Sequence, residues 1–370
     1  MQERFTVNCL GQKHLLVQPL EAREISPEML KWVGAFKDAG WEVRSAESNW
    51  APPTPTPSVV CIFWPEWCVD RSGQEVLAAS VQDFLYGLDV LRSRGALVVW
   101  HVQNLIPHET DSWGLLDRLM SEFILRVDLI GVRTEAAAAE IIRTYPSLRS
   151  APYIVCGLGL YSEFYSTSTE HAMSVRRSLG IPAGATVCGL IGLVRRYKNP
   201  ETIVRVFRAC AHHDDVLLIA GDARPNTLKT ELSRVIQSDP RVVWLDRWLD
   251  DDELAAVVKA CNFTVIASHL ALSSATLNLS VSLGTPVLAP SRGEFRELAE
   301  VFGTNAVWLF EGSLTPESLR TALARARYAH PTEVTALETW DGCAARFAEF
   351  CEFHAGLRGD GGDEYSMRGR

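Results

Sequence analysis

The chain has 370 residues, too many for one comfortable hydrophobic core and enough for two α/β domains. A formal charge of −9 argues against wholesale nucleic-acid binding, which needs a basic face, while leaving room for a local basic pocket. With 47% hydrophobic and 22% charged residues the composition is that of a globular protein, and no apolar run approaches the roughly 18–20 residues needed to cross a bilayer.

The first thirteen residues, Met1 to Lys13, lack the basic-then-apolar pattern of a secretory signal, so a cytoplasmic location is expected. The nine cysteines are scattered, form no CxxC pair, and in several cases sit inside apolar segments where a free thiol behaves as a small hydrophobe.

Taken in chain order, short apolar strands alternate with amphipathic helices, the pattern of parallel α/β sheets. Strands are expected at Leu15–Gln18, Trp41–Ala46, Val59–Trp64, Ala96–Gln103, Leu129–Val132 and Tyr153–Cys156. Helices are expected near Pro27–Ala39, Leu77–Arg94, Leu115–Arg126 and Glu135–Tyr145, with a stiff Pro-rich connection at Ala51–Pro57. A second series follows the polar segment Ser162–Ser174. Its strands are expected at Val187–Leu193, Val216–Ala220, Val242–Leu245, Phe263–Ala267, Pro286–Ala289 and Ala306–Phe310. Its helices are expected near Pro200–His212, Asp251–Ala260, Ala275–Leu283, Glu294–Val301 and Pro316–Arg327. In the first of these, Asn199 can cap, Pro200 suits the first turn, and Ile203, Val206, Phe207 and Cys210 recur at helical spacing. The expected organisation is a first Rossmann-like domain over 1–160, a linker over 161–184 and a second Rossmann-like domain over 185–335. A C-terminal helix over 336–355 returns to the first domain, and 356–370 forms a disordered Gly-rich, charged tail. Ligands of such folds bind at the carboxyl ends of the strands, so the two domains are expected to face one another across a cleft.

Two stretches carry the chemistry. Gly192-Leu-Val-Arg-Arg-Tyr-Lys-Asn199 follows a buried strand and opens a helix, which delivers Arg195 and Lys198 to the strand end and lets the backbone at Gly192 approach a ligand. A guanidinium and an ammonium there suit a diphosphate and can stabilise charge on a departing nucleotide. The competing reading is a solvated basic turn. In Leu272-Ser-Ser-Ala-Thr-Leu-Asn-Leu279, small residues precede an apolar helix, which points backbone N–H groups and the helix dipole at an anion. Ser273 or Ser274 can equally be an N-cap, and both roles can hold at once. The run Asp250–Glu253 reads as the acidic first turn of a helix, not as a metal site, and no other metal-ligand spacing appears.

These stretches resemble the Gly-Leu-x-Arg-x-Tyr-Lys and Ser-Gly-Ala-Leu motifs of bacterial GT-B glycosyltransferases, the superfamily that includes exopolysaccharide and phosphatidylinositol mannosyltransferases. Three more segments stand in the expected order: Trp64-Pro65-Glu66, the loop Trp100-His-Val-Gln-Asn-Leu-Ile-Pro-His-Glu109, and Arg247-Trp248-Leu249. The resemblance implies a GT-B fold and a hexosyltransferase that uses a nucleotide-sugar co-substrate of UDP or GDP type, with no metal and no other cofactor. It puts Gly192, Arg195 and Lys198 at the donor phosphates, with Ser273, Ser274, Ala275 and Thr276 on the same diphosphate. It sets Trp248 beside the base, Glu297 near the ribose or sugar, and the His101–Glu109 loop on the acceptor side. Glu109 and His108, with His101 and beyond them Glu66, are the candidates for a general base on the acceptor hydroxyl. The acceptor could be a carbohydrate, a lipid-linked glycan or a small molecule, and the apolar and basic helix Leu115–Arg126 leaves peripheral membrane contact open.

The departures from the family pattern are specific. Many retaining members carry two glutamates eight residues apart, where this chain has Ala271 and Leu279. Gln103 stands where His is expected, His101 where a small residue is expected, and Cys156-Gly157 where His-Gly is usual. Residues 101 and 103 share a strand face, so His101 can substitute. Two other readings stay open: a degenerate scaffold that binds without turnover, and a nucleotide-sugar epimerase of the same shape.

Overall fold

The structure, a computed structural model, describes residues 13–18, 27–47, 50–70, 72–105, 113–157, 159–237, 239–268, 272, 274–329, 331, 334 and 339–356. They divide into two compact units: one from Met1–Arg133, Ala138–Gly157 and Glu338–Arg370, the other from Thr134–Ala137 and Leu158–Leu337.

In the first unit the order is β1 (His14–Gln18), α1 (Pro27–Asp38), β2 (Glu42–Ser45), β3 (Val59–Ile62), α2 (Gln74–Ser93) and β4 (Leu97–His101). α3 (Trp113–Ile124), β5 (Leu129–Val132), α4 (Glu135–Thr144) and β6 (Tyr153–Val155) follow. The six strands are all parallel, in the order β2-β1-β3-β4-β5-β6. A parallel sheet needs cover on both faces, and the strand alternation supplies it. Val99 belongs to the cluster with Met29, Trp32 and Phe36 of α1, whereas the next residue, Trp100, meets Phe123 of α3 edge-on.

The second unit runs α5 (Thr169–Ser178), β7 (Thr186–Ile191), α6 (Pro200–Cys210), β8 (Asp215–Ala220), α7 (Asn226–Ile236) and β9 (Val242–Leu245). It continues through α8 (Asp251–Ala260), β10 (Phe263–Val265), α9 (Ala275–Ser282), β11 (Val287–Pro290), α10 (Gly293–Phe302), β12 (Val307–Phe310) and α11 (Pro316–Ala326). The sheet order is β12-β11-β10-β7-β8-β9, again all parallel. One face is covered by α6, α7 and α11 through Phe207, Leu228, Leu232 and Leu323; α9 and α10 pack through Leu277, Val281, Phe295 and Leu298.

The last element, α12 (Trp340–His354), groups with the first unit. Trp340, Cys343, Ala344, Phe347 and Cys351 recur at helical spacing and are all buried, and Phe347 meets Trp32 and Phe36 of α1 edge-on. Burying side chains of this size contributes on the order of 2–3 kcal/mol each. Glu352 then ties the helix down, accepting from Lys13 Nζ at 2.6 Å and Trp41 Nε1 at 3.0 Å.

Two helices go beyond the sequence expectation. α5 lies in the segment 161–184 expected as a linker, and α7 was not anticipated. Each offers little apolar signal: only Ala172 of α5 and only Leu228 and Leu232 of α7 are fully buried.

In both sheets the strand order reverses between two neighbours that lead off in opposite directions: β1 and β3 in the first, β7 and β10 in the second. Loops leaving the carboxyl ends of such a pair splay apart and open a crevice, the usual ligand position in these folds.

Candidate functional site

The second unit's switch point holds the basic turn. All six residues of β7 are buried, and the strand ends at Gly192, whose φ of +83° suits a residue without Cβ. Beside it, at the end of β8, Gly221 has φ +137°, and a Cβ there would lie 2.3 Å from the Gly192 carbonyl oxygen. The two strand ends therefore pass in direct backbone contact, which only glycine at 221 permits. Arg195 is extended and Arg196–Lys198 form a single 3-10 turn. Asn199 stands at φ +54° before α6. Its side-chain amide donates to the Ala267 carbonyl at 2.8 Å, which stitches the turn to the segment just past β10.

The two arginines part company. Arg196 is exposed and paired with Glu231 at 2.5 Å and Thr227 at 3.1 Å on α7, so it belongs to the surface. Arg195 is half-buried, and its charge acts on Lys198. Burial first, then Arg195, pulls the Lys198 ammonium down from 10.5 to about 8. The point a Cβ on Gly192 would occupy lies 3.5 Å from Lys198 Nζ and 3.9 Å from Thr276 Oγ1. An ammonium and a hydroxyl thus converge over a bare stretch of backbone.

The hydroxyl arrives with the start of α9. Ser274 is the N-cap, its Oγ accepting from Leu277 N–H at 3.2 Å. Its own N–H donates to Glu294 Oε1 at 3.0 Å, and its carbonyl accepts from Asn278 Nδ2 at 3.1 Å. Among the described residues nothing accepts from the N–H groups of Ala275 and Thr276, so these first-turn donors point where the helix dipole is positive. The family-derived assignment thereby narrows: the Ser274 amide is occupied by Glu294, and the available donors are those of the next two residues. Ser273 lies outside the described residues. Glu294, buried in the first turn of α10, was not anticipated; its partner is 20 residues away and no local pattern marks it.

Trp248 follows β9 and is 58% exposed. β9 lies two strands from β7 in the parallel sheet, so Trp248 and Gly192 both follow carboxyl ends of strands. The adjacent acidic run is consumed locally. Asp250 caps α8 by accepting from Glu253 N–H at 2.9 Å, and Glu253 pairs with Arg247. Among the described residues no group of three His, Cys, Asp or Glu side chains is arranged to hold a metal. Glu297, expected near the ribose or sugar, accepts from the backbone N–H groups of Glu135 and Ala136, which group with the second unit, at 3.1 and 2.8 Å.

In the first unit His101 ends β4 with no exposed surface. Trp32, Phe63 and Phe347 surround it at ring distances of 4.7, 4.9 and 5.1 Å. Gly131 alongside lacks the Cβ that would sit 2.7 Å from Phe347 Cε2 and 3.1 Å from His101 Cδ2. Arg133 donates to Gln103 Oε1 at 2.5 Å, so Gln103 Nε2 is left to donate to His101 Nδ1 at 2.9 Å. That chain places the imidazole proton on Nε2. Burial, then the Arg133 charge, lowers His101 from 6.5 to about 3. A neutral, enclosed imidazole with so weak a basicity orients its neighbours and is unsuited to deprotonate a hydroxyl. The other base candidates, His108 and Glu109, lie outside the described residues.

Comparison with known proteins bears on this geometry. No protein-family model matches the chain. It is 26% identical over 275 residues, 73% of this chain and 72% of the relative, to a GDP-mannose:glycolipid 4-beta-D-mannosyltransferase of Xanthomonas campestris pv. campestris. It is 28% identical over 182 residues, 46% of this chain and 40% of the relative, to a D-inositol 3-phosphate glycosyltransferase of Corynebacterium kroppenstedtii. Its fold matches HepE of Anabaena in complex with UDP-glucose, with TM-score 0.62 at 15% identity over 92% of this chain and 94% of that one. The chain is thus similar in sequence to proteins named glycosyltransferases, and its fold is that of GT-B structures. Sucrose-phosphate synthase of Thermosynechococcus elongatus gives TM-score 0.67 at 15% identity, covering 94% of this chain and all of that one. The two parallel six-stranded sheets described above are the GT-B arrangement. Among the described residues no helix is long and apolar enough to cross a membrane.

Proposed function

We propose that this GT-B glycosyltransferase moves a hexosyl group from a nucleoside-diphosphate sugar, with GDP as the favoured nucleotide, to a hydroxyl of a glycan or lipid-linked glycan. The observation that carries the reading is the convergence over Gly192 of Lys198 Nζ and Thr276 Oγ1, together with the open first-turn amides of α9. A diphosphate offers several acceptor oxygens and at least two negative charges. An ammonium, a hydroxyl and a positive helix end meet both requirements. Arg195 adds a guanidinium on the same turn, and the two cations take the neutralising role that a metal ion fills elsewhere. As the glycosidic bond breaks, negative charge grows on the leaving phosphate, and the fixed donors stabilise it more than they stabilise the bound substrate.

GDP is favoured over UDP because the relative matched over the larger share of the chain is named for GDP-mannose and a glycolipid. Trp248 supplies an exposed indole on the correct sheet edge for the base. The acceptor hydroxyl needs a base if the sugar is displaced directly, and the loop with His108 and Glu109 is proposed to provide it. Eight described cysteines, all buried free thiols, suit a cytoplasmic setting.

The test is calorimetric titration of GDP, UDP, TDP and ADP with chelator present, on the wild type and Arg195→Ala. Micromolar GDP binding that weakens at least tenfold in the variant supports the site. Absence of binding by all four nucleotides, or equal binding in the variant, overturns it.

A further inference from the structure

The turn after β3 has features that the donor site does not use. β3 borders β1 at the switch point of the first sheet, so this turn leaves that sheet where ligands of such folds bind. The chain folds into a 3-10 turn over Pro65–Trp67, with Trp67 N–H donating to the Trp64 carbonyl at 2.9 Å and Cys68 N–H to the Pro65 carbonyl at 3.1 Å. The turn is clamped from behind. Buried Trp50 donates Nε1 to the Cys68 carbonyl at 3.0 Å, and Cys68 Sγ approaches the Trp64 carbonyl at 3.5 Å. On this rigid base the indoles of Trp64 and Trp67 stack, with centroids 5.2 Å apart and planes 26° from parallel. Trp67 remains 38% exposed, while the intervening Glu66 is 6% exposed.

Lone exposed apolar side chains are ordinary. An indole held in place by a second indole, on a turn pinned by buried groups and next to a buried carboxylate, is a more particular object. A pyranose ring matches it. One face of the sugar presents C–H groups, which lie well on the electron-rich face of an indole, and its rim presents hydroxyls that donate to a carboxylate. A rigid aromatic surface also binds at small conformational cost.

We infer that the Trp64–Trp67 stack and Glu66 form a sugar-binding platform that seats one pyranose ring of the acceptor glycan. The inference rests on the glycosyltransferase reading for the word acceptor, and on the turn alone for saccharide binding. A lipid surface is the less fitting occupant, because the chain's net charge of −9 gives no support for anionic headgroups.

Saturation-transfer NMR on the full chain tests this, with maltotriose, cellotriose and mannotriose offered separately at millimolar concentration. We expect transfer to ring C–H protons of at least one trisaccharide, a fall of at least fivefold in Trp67→Ala, partial retention in Trp67→Phe, and no change in the exposed-aromatic control Tyr328→Ala. GDP titration of Trp67→Ala should match the wild type. The platform is overturned if no trisaccharide shows transfer, or if transfer survives unchanged in Trp67→Ala. It is also overturned if phosphatidylethanolamine–phosphatidylglycerol vesicles, and no sugar, shift the emission in a Trp67-dependent way. Sugar binding that depends on Trp67 in a chain that binds no nucleotide would uphold the platform and sink the donor site.

Discussion

Lys198→Met should stabilise the unliganded protein while removing its nucleotide affinity. Methionine keeps much of the lysine stem's length and apolar contact without the charge. In the folded chain burial and Arg195 lower the Lys198 ammonium from 10.5 to about 8. At 1.36 kcal/mol per pKa unit that difference corresponds to roughly 3 kcal/mol of folding free energy withheld at pH 7. The side chain is only half-buried, so about 2–3 kcal/mol is the expected gain. For a domain of this size the midpoint of thermal unfolding should rise by about 4–12 °C. The pH dependence gives the sharper check. With the folded pKa below the unfolded one, the unfolded chain holds more protons between about pH 8 and pH 10.5. Wild-type stability therefore climbs relative to the variant through that window, and the gap should shrink to about 1 kcal/mol by pH 10. Denaturant titrations of both proteins at pH 7 and pH 10 measure it. A variant no more stable than wild type at pH 7, or a gap that ignores pH, would refute the claim that Lys198 is held charged at a cost.

The same lysine predicts that GDP affinity falls as pH rises past about 8, because binding requires the ammonium that the free protein then loses; calorimetry at pH 7 and pH 9 reads it directly. Gly221→Ala should destabilise by at least about 3 kcal/mol, since the new methyl lies 2.3 Å from a backbone carbonyl at a φ disfavoured for alanine; the midpoint of thermal unfolding will show it. His101 has a folded pKa of about 3 against 6.5 unfolded, so the unfolded chain binds the extra proton and stability drops as pH falls through that interval. Between pH 7 and pH 4.5, His101→Phe should lose about 2–3 kcal/mol less than wild type in matched denaturant titrations. Ser274→Ala removes the cap of α9 and should cost about 1 kcal/mol, together with a measurable loss of GDP affinity.

Much of this was legible in the residues. The alternation of apolar strands with amphipathic helices gave the α/β class, and the spacing of Ile203, Phe207 and Cys210 behind Asn199-Pro200 marked α6 because that helix buries one clean face. α5 and α7 escaped because so few of their side chains are buried that no period stands out. The same-face placement of residues 101 and 103 could be read from strand alternation, and their side chains do meet. What turned that pair into a structural device was Arg133, 30 residues away on the end of the next strand, and strand neighbours are not written locally. Burial was the other hidden variable. A histidine at a strand end looks like a base in the sequence, and only its enclosure by Trp32, Phe63 and Phe347 shows why it stays neutral. Glu294 was missed for the Arg133 reason, since its contact with Ser274 spans two elements.

The stitch from Asn199 to the Ala267 carbonyl has an evolutionary consequence. It fastens the basic turn to the neighbouring strand end through a side-chain amide, while Gly221 fixes the turn from the other side through backbone alone. The segment after β9 is tied to the same frame at Asp246, whose carboxylate accepts from Ala223 N–H at 3.1 Å, while Trp248 two residues on stays exposed. A substitution at Trp248 changes an exposed side chain and leaves the contacts of Asp246, Asn199 and Gly221 in place. A lineage, or an engineer, can vary that one position on a frame that does not need to be rebuilt.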